Sequence, residues 1–240
     1  MEVGFLSWRE AAKELAAKRA VDELVEDGMV LGLGSGSTVA YAVRRLGERA
    51  RGEGLDVLCI PTSYQVAFLA IQEGLKLTSL NEHPEPDLAI DGADQVDAEL
   101  NLIKGGGAAL TREKIVDSAA KELAIIVDEA KLARRLGERG VPVPIEVLPL
   151  AAEFVLKRLR SLGAVEARIR EAGKGKVGPV VTDNGNLIID AYFGLIEEPA
   201  GLEGNIRAIP GVIETGLFVG MADVLYVGTK EGSVRKLLGK

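Results

Sequence analysis

The stretch from Ile90 to Lys114, IDGADQVDAELNLIKGGGAALTREK, concentrates residues that could act on a small anionic substrate. Three carboxylates, at Asp91, Asp94 and Asp97, precede a lysine and three consecutive glycines, and Glu113 follows them. Carboxylates accept strong hydrogen bonds from hydroxyl groups, an ammonium group stabilises an anion, and glycine lets a backbone approach a ligand closely. The pattern therefore favours a site for a hydroxylated, negatively charged molecule.

The three aspartates have different interpretations. Asp91 follows the apolar residues LAI, so we expect it at the C-terminal end of a strand, where open α/β sheets bind ligands. A calcium loop is excluded, because the sixth and twelfth positions counted from Asp91 are Val96 and Leu102, where that loop needs glycine and glutamate. The alternative for DGAD is an Asx-type turn with solvated carboxylates, which is our interpretation of Asp97. For Asp91 and Asp94 we favour acceptors for sugar hydroxyls.

A cation and bare backbone follow the aspartates. Lys104 precedes Gly105, Gly106 and Gly107, and three glycines in a row are costly to order. They indicate close approach of the backbone to a ligand or torsions barred to other residues, and a flexible loop is the alternative. Lys104 offers a point charge for a phosphate or a developing oxyanion, and Lys131 could do the same from the next strand end.

Glu113 belongs to a predicted helix start, LTREKIVDSAAKEL, with Thr111 as a plausible N-cap. A glutamate in the first turn usually only compensates the helix dipole. Beside a glycine loop and two further acids, Glu113 is also a candidate general base.

A second candidate is the glycine-rich loop GLGSGST, from Gly32 to Thr38, between a predicted strand and a predicted helix. Backbone N–H groups and the positive helix end can hold a phosphate there, and the hydroxyls of Ser35, Ser37 and Thr38 add donors. The loop lacks the glycine that the dinucleotide fingerprint needs at position 37 and the lysine of the Walker A pattern, which argues against NAD and ATP. The alternative is a tight turn capped by a serine.

The elements around these motifs alternate between apolar strands and amphipathic helices, which implies an α/β fold with a parallel sheet. The expected helices cover 8–27, 39–50, 64–75 and 151–162. The expected strands cover 29–33, 55–63, 86–91 and 123–127.

The texture of the sequence changes after Arg139. GVPVPIEVLP is proline-rich, and up to about residue 210 a helix alternates with hairpin-like segments, which is typical of a separate α+β domain. Asn184-Gly185 in VVTDNGNLIIDAYF suits a tight hairpin turn. From IPGVIETGLFVGMADVLYVGT onward the apolar strand pattern returns, and we expect the chain to rejoin the first sheet there.

Composition limits the class of protein. The chain has 240 residues, of which 47% are apolar and 27% charged, so a sizeable core can be buried. A net charge of -7 disfavours attachment to nucleic acid or an anionic membrane, and no apolar run approaches the roughly 18 residues that span a bilayer. The single cysteine, Cys59, and the lack of a signal-peptide pattern indicate a cytoplasmic setting. We interpret His83 as a surface residue, and no zinc spacing occurs, so we predict no metal.

Taken together, GLGSGST, DGAD, KGGGAALTREK, VDEAK, VPVPIEV, VVTDNGN and IPGVIETGLF resemble the type A ribose-5-phosphate isomerase family over nearly the whole chain. The resemblance implies a Rossmann-like parallel-sheet main domain at 1–135 and 211–240 and a smaller α+β domain at 136–210. It also implies interconversion of D-ribose 5-phosphate and D-ribulose 5-phosphate in the non-oxidative pentose phosphate pathway. No cofactor, a sugar phosphate as small-molecule partner, and a cytoplasmic homodimer or homotetramer follow from it as expectations.

The resemblance also implies roles for individual residues. Glu113 would move the proton through a cis-enediol, Lys104 would stabilise the oxyanion, and the sequence does not decide which lysine holds the phosphate. The family often has threonine at the position of Ser35 and glutamate at that of Gln95. The implied catalytic residues are Glu113, Asp91, Asp94 and Lys104. The implied substrate-binding residues are Ser35, Gly36, Ser37, Thr38, Asp91, Gly92, Ala93, Asp94, Lys104, Gly105, Gly106, Gly107 and Lys131.

Two other classes of function compete with an isomerase. A noncatalytic sugar-phosphate sensor would normally carry a DNA-binding module, and the sequence has no spare basic helix-turn-helix segment. A transferase that uses Glu113 as a nucleophile on coenzyme A thioesters would form a covalent glutamyl adduct, which isomerisation does not.

Overall fold

The computed structural model describes residues 7–173 and 175–239. In this part of the chain no helix is long and apolar enough to cross a bilayer. The α-helices are α1 (Trp8–Leu24), α2 (Ser37–Glu53), α3 (Tyr64–Gln72), α4 (Leu110–Ala119), α5 (Ala152–Ser161) and α6 (Pro199–Arg207). The strands are β1 (Val30–Leu33), β2 (Leu58–Pro61), β3 (Lys76–Leu77), β4 (Leu88–Asp91), β5 (Gln95–Val96), β6 (Leu102–Ile103), β7 (Leu123–Asp128), β8 (Val143–Val147), β9 (Glu166–Ile169), β10 (Leu187–Tyr192), β11 (Val212–Thr215), β12 (Leu217–Phe218), β13 (Val224–Gly228) and β14 (Val234–Leu238).

Two compact units are present, and the first comprises 7–92, 115–132 and 222–239 of the described residues. It contains a seven-stranded sheet in the order β14-β13-β7-β4-β1-β2-β3, in which every neighbouring pair is parallel except β13 and β14. Leu31 at the centre lies opposite Cys59 on one side and Leu88 on the other. The predicted parallel sheet of an α/β fold is confirmed.

Helices cover this sheet through small and apolar side chains. The buried face of α1 is mostly alanine, so this helix can pack closely against β7 and β13. All six residues of β7 are buried, as expected for a parallel strand that is covered on both faces. The predicted helix 8–27 ends earlier, at Leu24, because Val25 is already extended. The predicted helix 39–50 is longer than expected and begins at Ser37.

The second unit comprises 93–114 and 133–221. It has a four-stranded antiparallel sheet in the order β11-β8-β10-β9 and a three-stranded sheet in the order β12-β6-β5. Apolar side chains from the larger sheet and from α5 and α6 form its core. Among the buried members are Val143, Ile145, Val147, Val155, Leu159, Ile189, Ala191 and Ile206.

The expectation that the chain rejoins the first sheet from residue 209 onward is wrong for two strands. β11 pairs with β8 and β12 pairs with β6, both antiparallel, and only β13 enters the seven-stranded sheet. An apolar run identifies a strand but carries no information on its partner. The compact units accordingly assign 93–114 and 211–221 to the second unit, whereas the sequence suggested 136–210 for the smaller domain.

Local predictions for the second unit hold in part. The helix expected at 151–162 is α5, from Ala152 to Ser161. The turn at Asn184-Gly185 forms, with the N–H of Thr182 donating to the carbonyl of Asn186 at 2.9 Å. Its first arm is reduced to one antiparallel bridge between Val181 and Leu187, and the long strand β10 pairs with β8 and β9 instead.

Candidate active site

The glycine-rich loop of the first unit connects β1 to α2. The N–H of Gly34 donates to the carbonyl of Ile90 at 3.0 Å, and the helix begins at Ser37. Gly36 is the N-cap, with φ of 100°. As a glycine it has no side chain that could accept a hydrogen bond from the first turn of the helix. The alternative interpretation, a turn capped by a serine, is therefore wrong about the cap, and the N–H groups of the first turn, including that of Thr38, have no acceptor within their own helix.

The neighbouring turn between β2 and α3 fixes the shape of this loop. The hydroxyl of Ser35 lies 2.8 Å from the Thr62 hydroxyl and donates to the Ser63 hydroxyl at 2.7 Å. The N–H of Gly36 donates to the side-chain oxygen of Gln65 at 3.0 Å. The Ser35 side chain thus takes part in an internal network, and its contact with a substrate stays a prediction.

Asp91 ends β4, as the sequence predicted, and is fully buried. Its Oδ1 accepts hydrogen bonds from the N–H groups of Ser35 at 3.2 Å and Gly92 at 2.6 Å. A Cβ atom at Gly34 would lie 1.9 Å from the Asp91 carboxyl carbon, so only glycine leaves room for this carboxylate. The structure therefore joins the glycine-rich loop to Asp91 within one unit.

Lys131 and Lys13 belong to the same unit as Asp91 and the glycine-rich loop. Lys131 ends a short 3-10 turn after β7, which is the parallel neighbour of β4. Lys13 on α1 was missed from the sequence: its Nζ donates to the hydroxyl of Ser37 at 3.1 Å and to Glu10 at 2.6 Å. The hydrogen bond from Lys13 lowers the pKa of Glu10, against the opposing effect of burial. Only the fold brings Lys13 to the loop, so its spacing in the sequence gave no signal.

The second unit carries the predicted lysine and glutamate as a buried pair. The Nζ of Lys104 lies 3.4 Å from Oε2 of Glu113, and their side chains are 2% and 6% exposed. The backbone N–H of Lys104 donates to the carbonyl of Gly216 at 2.9 Å. Lys104 Nζ also lies 5.2 Å from the centre of the Phe218 ring, within the range of a cation–π interaction. Phe218 reaches this position through the pairing of β12 with β6, which the sequence did not predict.

The first turn of α4 holds Glu113, as expected, but Thr111 is not its N-cap. The helix begins at Leu110, and the Thr111 hydroxyl donates to Oε2 of Glu146 at 2.6 Å. Glu146 lies on β8, is fully buried, and was not identified from the sequence. Its other oxygen, Oε1, accepts hydrogen bonds from Thr182, Asn184 and Asn186. This network ties the start of α4 to the turn before β10.

Space restricts two of the three glycines after Lys104. Gly105 has φ of 104°, and a Cβ atom there would lie 2.7 Å from Leu110. A Cβ atom at Gly106 would lie 2.7 Å from Asp94 Oδ1. The N–H of Gly106 donates to Oδ2 of Asp94 at 2.7 Å. Special torsions and close approach thus explain these glycines, and Asp94 belongs to the same loop structure.

Backbone donors are available at this loop. Within the described residues, the N–H groups of Gly105 and Gly107 have no hydrogen-bond acceptor, and Gly107 has open space beside it. Ala93, half-buried, leads into Asp94.

Asp97 closes an Asx-type turn, with Oδ1 accepting from the N–H groups of Glu99 and Asn101, both at 2.9 Å. Its interpretation as a turn residue is confirmed.

Known proteins of one family match most of this chain in sequence. A family model described as ribose 5-phosphate isomerase A (phosphoriboisomerase A) matches residues 58–232. Ribose-5-phosphate isomerase A of Methanothermobacter thermautotrophicus is 55% identical over 220 residues, which cover 92% of this chain and 95% of that protein. The ribose-5-phosphate isomerase of Homo sapiens is 47% identical over 232 residues, which cover 95% of this chain and 75% of that protein.

Solved structures give the same result. A D-ribose-5-phosphate isomerase in complex with phospho-erythronic acid superposes with a TM-score of 0.92 at 46% identity, covering 96% of this chain and 99% of that one. Ribose 5-phosphate isomerase A of Methanocaldococcus jannaschii superposes with a TM-score of 0.90 at 48% identity, covering 95% and 99%. The chain belongs to the ribose-5-phosphate isomerase A family.

Proposed function

We propose that the protein interconverts D-ribose 5-phosphate and D-ribulose 5-phosphate through a cis-enediolate, without a cofactor and with Glu113 as the general base. The observation that carries the mechanism is the buried pair of Glu113 and Lys104, whose charged atoms lie 3.4 Å apart. A carboxylate and an ammonium group held together away from water suit a reaction in which a proton leaves carbon while negative charge develops on oxygen.

The reaction needs a proton removed from C2 of the aldose and returned to C1. One carboxylate on one face of a planar cis-enediol can perform both transfers, which is the role proposed for Glu113. Lys104 would stabilise the negative charge on the substrate oxygen as the enediolate forms. Burial strengthens this electrostatic effect, because little water screens the ammonium group.

The remaining predicted residues would bind and orient the substrate. Asp91 and Asp94 would accept hydrogen bonds from sugar hydroxyls, in addition to the backbone groups that they already bind. The glycines after Lys104 would offer N–H donors to substrate oxygens. The phosphate group would be bound by the N-terminal turn of α2 at Ser37 and Thr38. The residues proposed in addition are Ser35, Gly36, Gly92, Ala93, Gly105, Gly106, Gly107, Lys131 and, from the structure, Lys13.

A ligand of a relative supports this chemistry. Phospho-erythronic acid, bound by the related D-ribose-5-phosphate isomerase, carries a phosphate at one end and a carboxylate beside a hydroxyl at the other. The planar, negatively charged carboxylate resembles the enediolate that an aldose-ketose isomerase would form. Strong binding of such an analogue is expected of a site that is complementary to the transition state.

The decisive experiment measures ribulose 5-phosphate formation from ribose 5-phosphate by the purified, chelator-treated protein. We expect turnover by the parent protein, its loss in Glu113→Gln, and retained binding of phospho-erythronic acid in that variant. Glu153→Gln is the matched control, because Glu153 is also a first-turn helix glutamate but is exposed on α5. Absence of turnover in the parent would refute the isomerase, and a covalent glutamyl adduct in mass spectra would indicate the transferase instead.

We further propose that the protein works as a cytoplasmic homodimer or homotetramer in the non-oxidative pentose phosphate pathway. Support for self-association comes from Tyr64, Phe68 and Ile71 on α3, which are 56%, 63% and 56% exposed and lie on one helix face. Support for a reducing compartment comes from the single cysteine. Size-exclusion chromatography with light scattering measures the assembly directly, and a monomer at micromolar concentration would contradict the first part.

A further inference from the structure

Arg170 is not one of the predicted catalytic or substrate-binding residues, yet it contacts the loop of Gly105, Gly106 and Gly107. We propose that Arg170, fixed by Asp190, is a positioning residue that orients the two peptides on either side of Gly106 and so directs the N–H of Gly107 to the substrate. The proposal rests on the proposed isomerase function for its kinetic consequence. Its structural part is independent of that function.

The contacts of Arg170 use the whole guanidinium group. Nη1 donates to the carbonyl of Gly105 at 2.9 Å and to the carbonyl of Gly106 at 3.0 Å. On the other side, Nε and Nη2 donate to the two carboxylate oxygens of Asp190 at 2.9 Å and 2.5 Å. The side chains of Arg170 and Asp190 are 16% and 12% exposed. This bidentate guanidinium–carboxylate pair, called the fork below, is therefore largely shielded from water.

The position of this fork is set by the four-stranded sheet. Asp190 lies within β10, and the backbone N–H of Arg170 donates to the carbonyl of Ile188 on the same strand at 2.8 Å. Arg170 follows the last residue of β9, which pairs with β10. The guanidinium is therefore anchored to regular structure by both its backbone and its carboxylate partner, whereas the glycine loop is a turn, in which the N–H of Ala108 donates to the carbonyl of Gly105 at 3.0 Å.

Because a peptide group is planar, the direction of a carbonyl also fixes the direction of the next N–H group. The carbonyl of Gly105 and the N–H of Gly106 belong to one planar trans peptide and point in opposite directions. Arg170 and the N–H of Ala108 both donate to the oxygen of this peptide, and Asp94 accepts from its nitrogen at 2.7 Å. The next peptide is held at its oxygen alone, so the N–H of Gly107 is directed away from Arg170.

The composition of the loop explains why it needs the two hydrogen bonds from Arg170. Glycine has the largest backbone freedom of any residue, so three in succession lose the most on ordering. A guanidinium that binds two successive carbonyls removes this freedom at the peptides around Gly106. It also polarises both peptides, which makes the N–H of Gly106 a stronger donor to Asp94 and the N–H of Gly107 a stronger donor to a substrate oxygen.

A direct role for Arg170 in holding the phosphate fits these contacts poorly. Its charge is neutralised by Asp190, and each donating nitrogen already has a protein acceptor. A lysine at this position would keep the charge but not the fork, since an ammonium group cannot bind a carboxylate bidentately and two carbonyls in the same geometry.

Arg168 provides the matched control. It has the same side chain, lies two residues earlier on β9, is 62% exposed, and donates to the Tyr192 hydroxyl at 2.9 Å instead of to the loop. The experiment compares Arg170→Ala, Arg170→Lys and Arg168→Ala with the parent protein. The readouts are kcat and KM for ribose 5-phosphate, the affinity for phospho-erythronic acid, inhibition by inorganic phosphate, and hydrogen exchange of the peptide that contains Gly105 to Gly107.

We expect a roughly 10- to 100-fold fall in kcat/KM for Arg170→Ala and Arg170→Lys, as for other misplaced active-site groups. Affinity for phospho-erythronic acid should fall in parallel, inhibition by inorganic phosphate should change less than twofold, and the glycine peptide should exchange faster. Added ethylguanidinium should restore part of the activity of Arg170→Ala. None of these changes is expected for Arg168→Ala.

A merely structural role predicts a different result, in which all ligands lose affinity together and ethylguanidinium has no effect. That outcome, or kcat/KM within twofold of the parent, would overturn the proposal. If the parent protein does not isomerise ribose 5-phosphate, the proposed function fails. Hydrogen exchange then still tests whether Arg170 orders the glycine loop. Unchanged exchange in Arg170→Ala overturns that part of the proposal, and faster exchange supports it.

Discussion

Removing the Glu113 carboxylate while Lys104 stays buried should destabilise the protein as well as stop turnover. The two charges are 3.4 Å apart, so at an effective dielectric constant of 20 their attraction is about 5 kcal/mol. In Glu113→Gln a hydrogen bond from the ammonium group to the amide oxygen would return about 2 kcal/mol. The net loss of about 3 kcal/mol should lower the Tm by about 6–12 °C, given about 2–4 °C per kcal/mol for a chain of this size.

A second substitution separates stability from activity. Lys104→Met added to Glu113→Gln removes the buried ammonium group as well as the carboxylate and leaves an unbranched apolar side chain next to Phe218. Removing one member of a buried ion pair is usually more destabilising than removing both charges, so the double variant should recover part of the lost Tm. It should remain inactive, because both the proposed base and the proposed oxyanion partner are gone.

The assay is thermal unfolding followed by circular dichroism at pH 7.5 without ligand, together with the isomerase assay. A Tm for Glu113→Gln within about 2 °C of the parent would mean that the pair contributes far less than its separation and burial imply. A double variant less stable than the single variant would refute the argument that the loss of Tm comes from separating the buried ammonium group from the Glu113 carboxylate.

Three further outcomes are expected elsewhere in the chain. Burial raises the pKa of the Cys59 thiol to about 12, so a thiol reagent at pH 8 should label the protein only after unfolding; fast labelling of the folded protein would contradict this. Gly34→Ala should destabilise by about 1–3 kcal/mol in urea titrations, since its Cβ would displace the Asp91 carboxylate. The hydrogen bond from Arg19 is the main cause that lowers the pKa of Glu23 from 4.5 to about 2. Glu23→Gln should therefore cost at most ~1 kcal/mol at neutral pH, and its difference from the parent in Tm should disappear as the pH falls from about 4.5 to about 2.

The sequence predicted the parallel sheet well because the strands and helices of that unit follow from local patterns of apolar and polar residues. β7 is apolar throughout, and α2 begins within two residues of its predicted start. The end of β4 at Asp91 and the first-turn position of Glu113 also follow from local signals. These features depend on neighbours in the chain, which a single sequence can reveal.

The remainder depends on partners that are distant in the sequence. Nothing local indicates that Glu146 binds the start of α4, or that Phe218 lies beside Lys104. Lysines on an amphipathic helix and arginines near an edge strand are usually solvated, so neither Lys13 nor Arg170 stands out in the sequence. In each case the contact that matters is created by tertiary pairing.

The pairing of β6 with β12 has a consequence for synthesis on the ribosome. The backbone partner of Lys104 is Gly216, and the aromatic ring beside its ammonium group is that of Phe218, both far downstream in the chain. A nascent chain that has emerged only as far as α5 contains the lysine, the glycines and the glutamate, but it lacks the strand that fixes them. Such long-range contacts form slowly because a long loop must close first. Vectorial synthesis therefore delays assembly of the lysine-glutamate pair until Gly216 and Phe218 have left the ribosome.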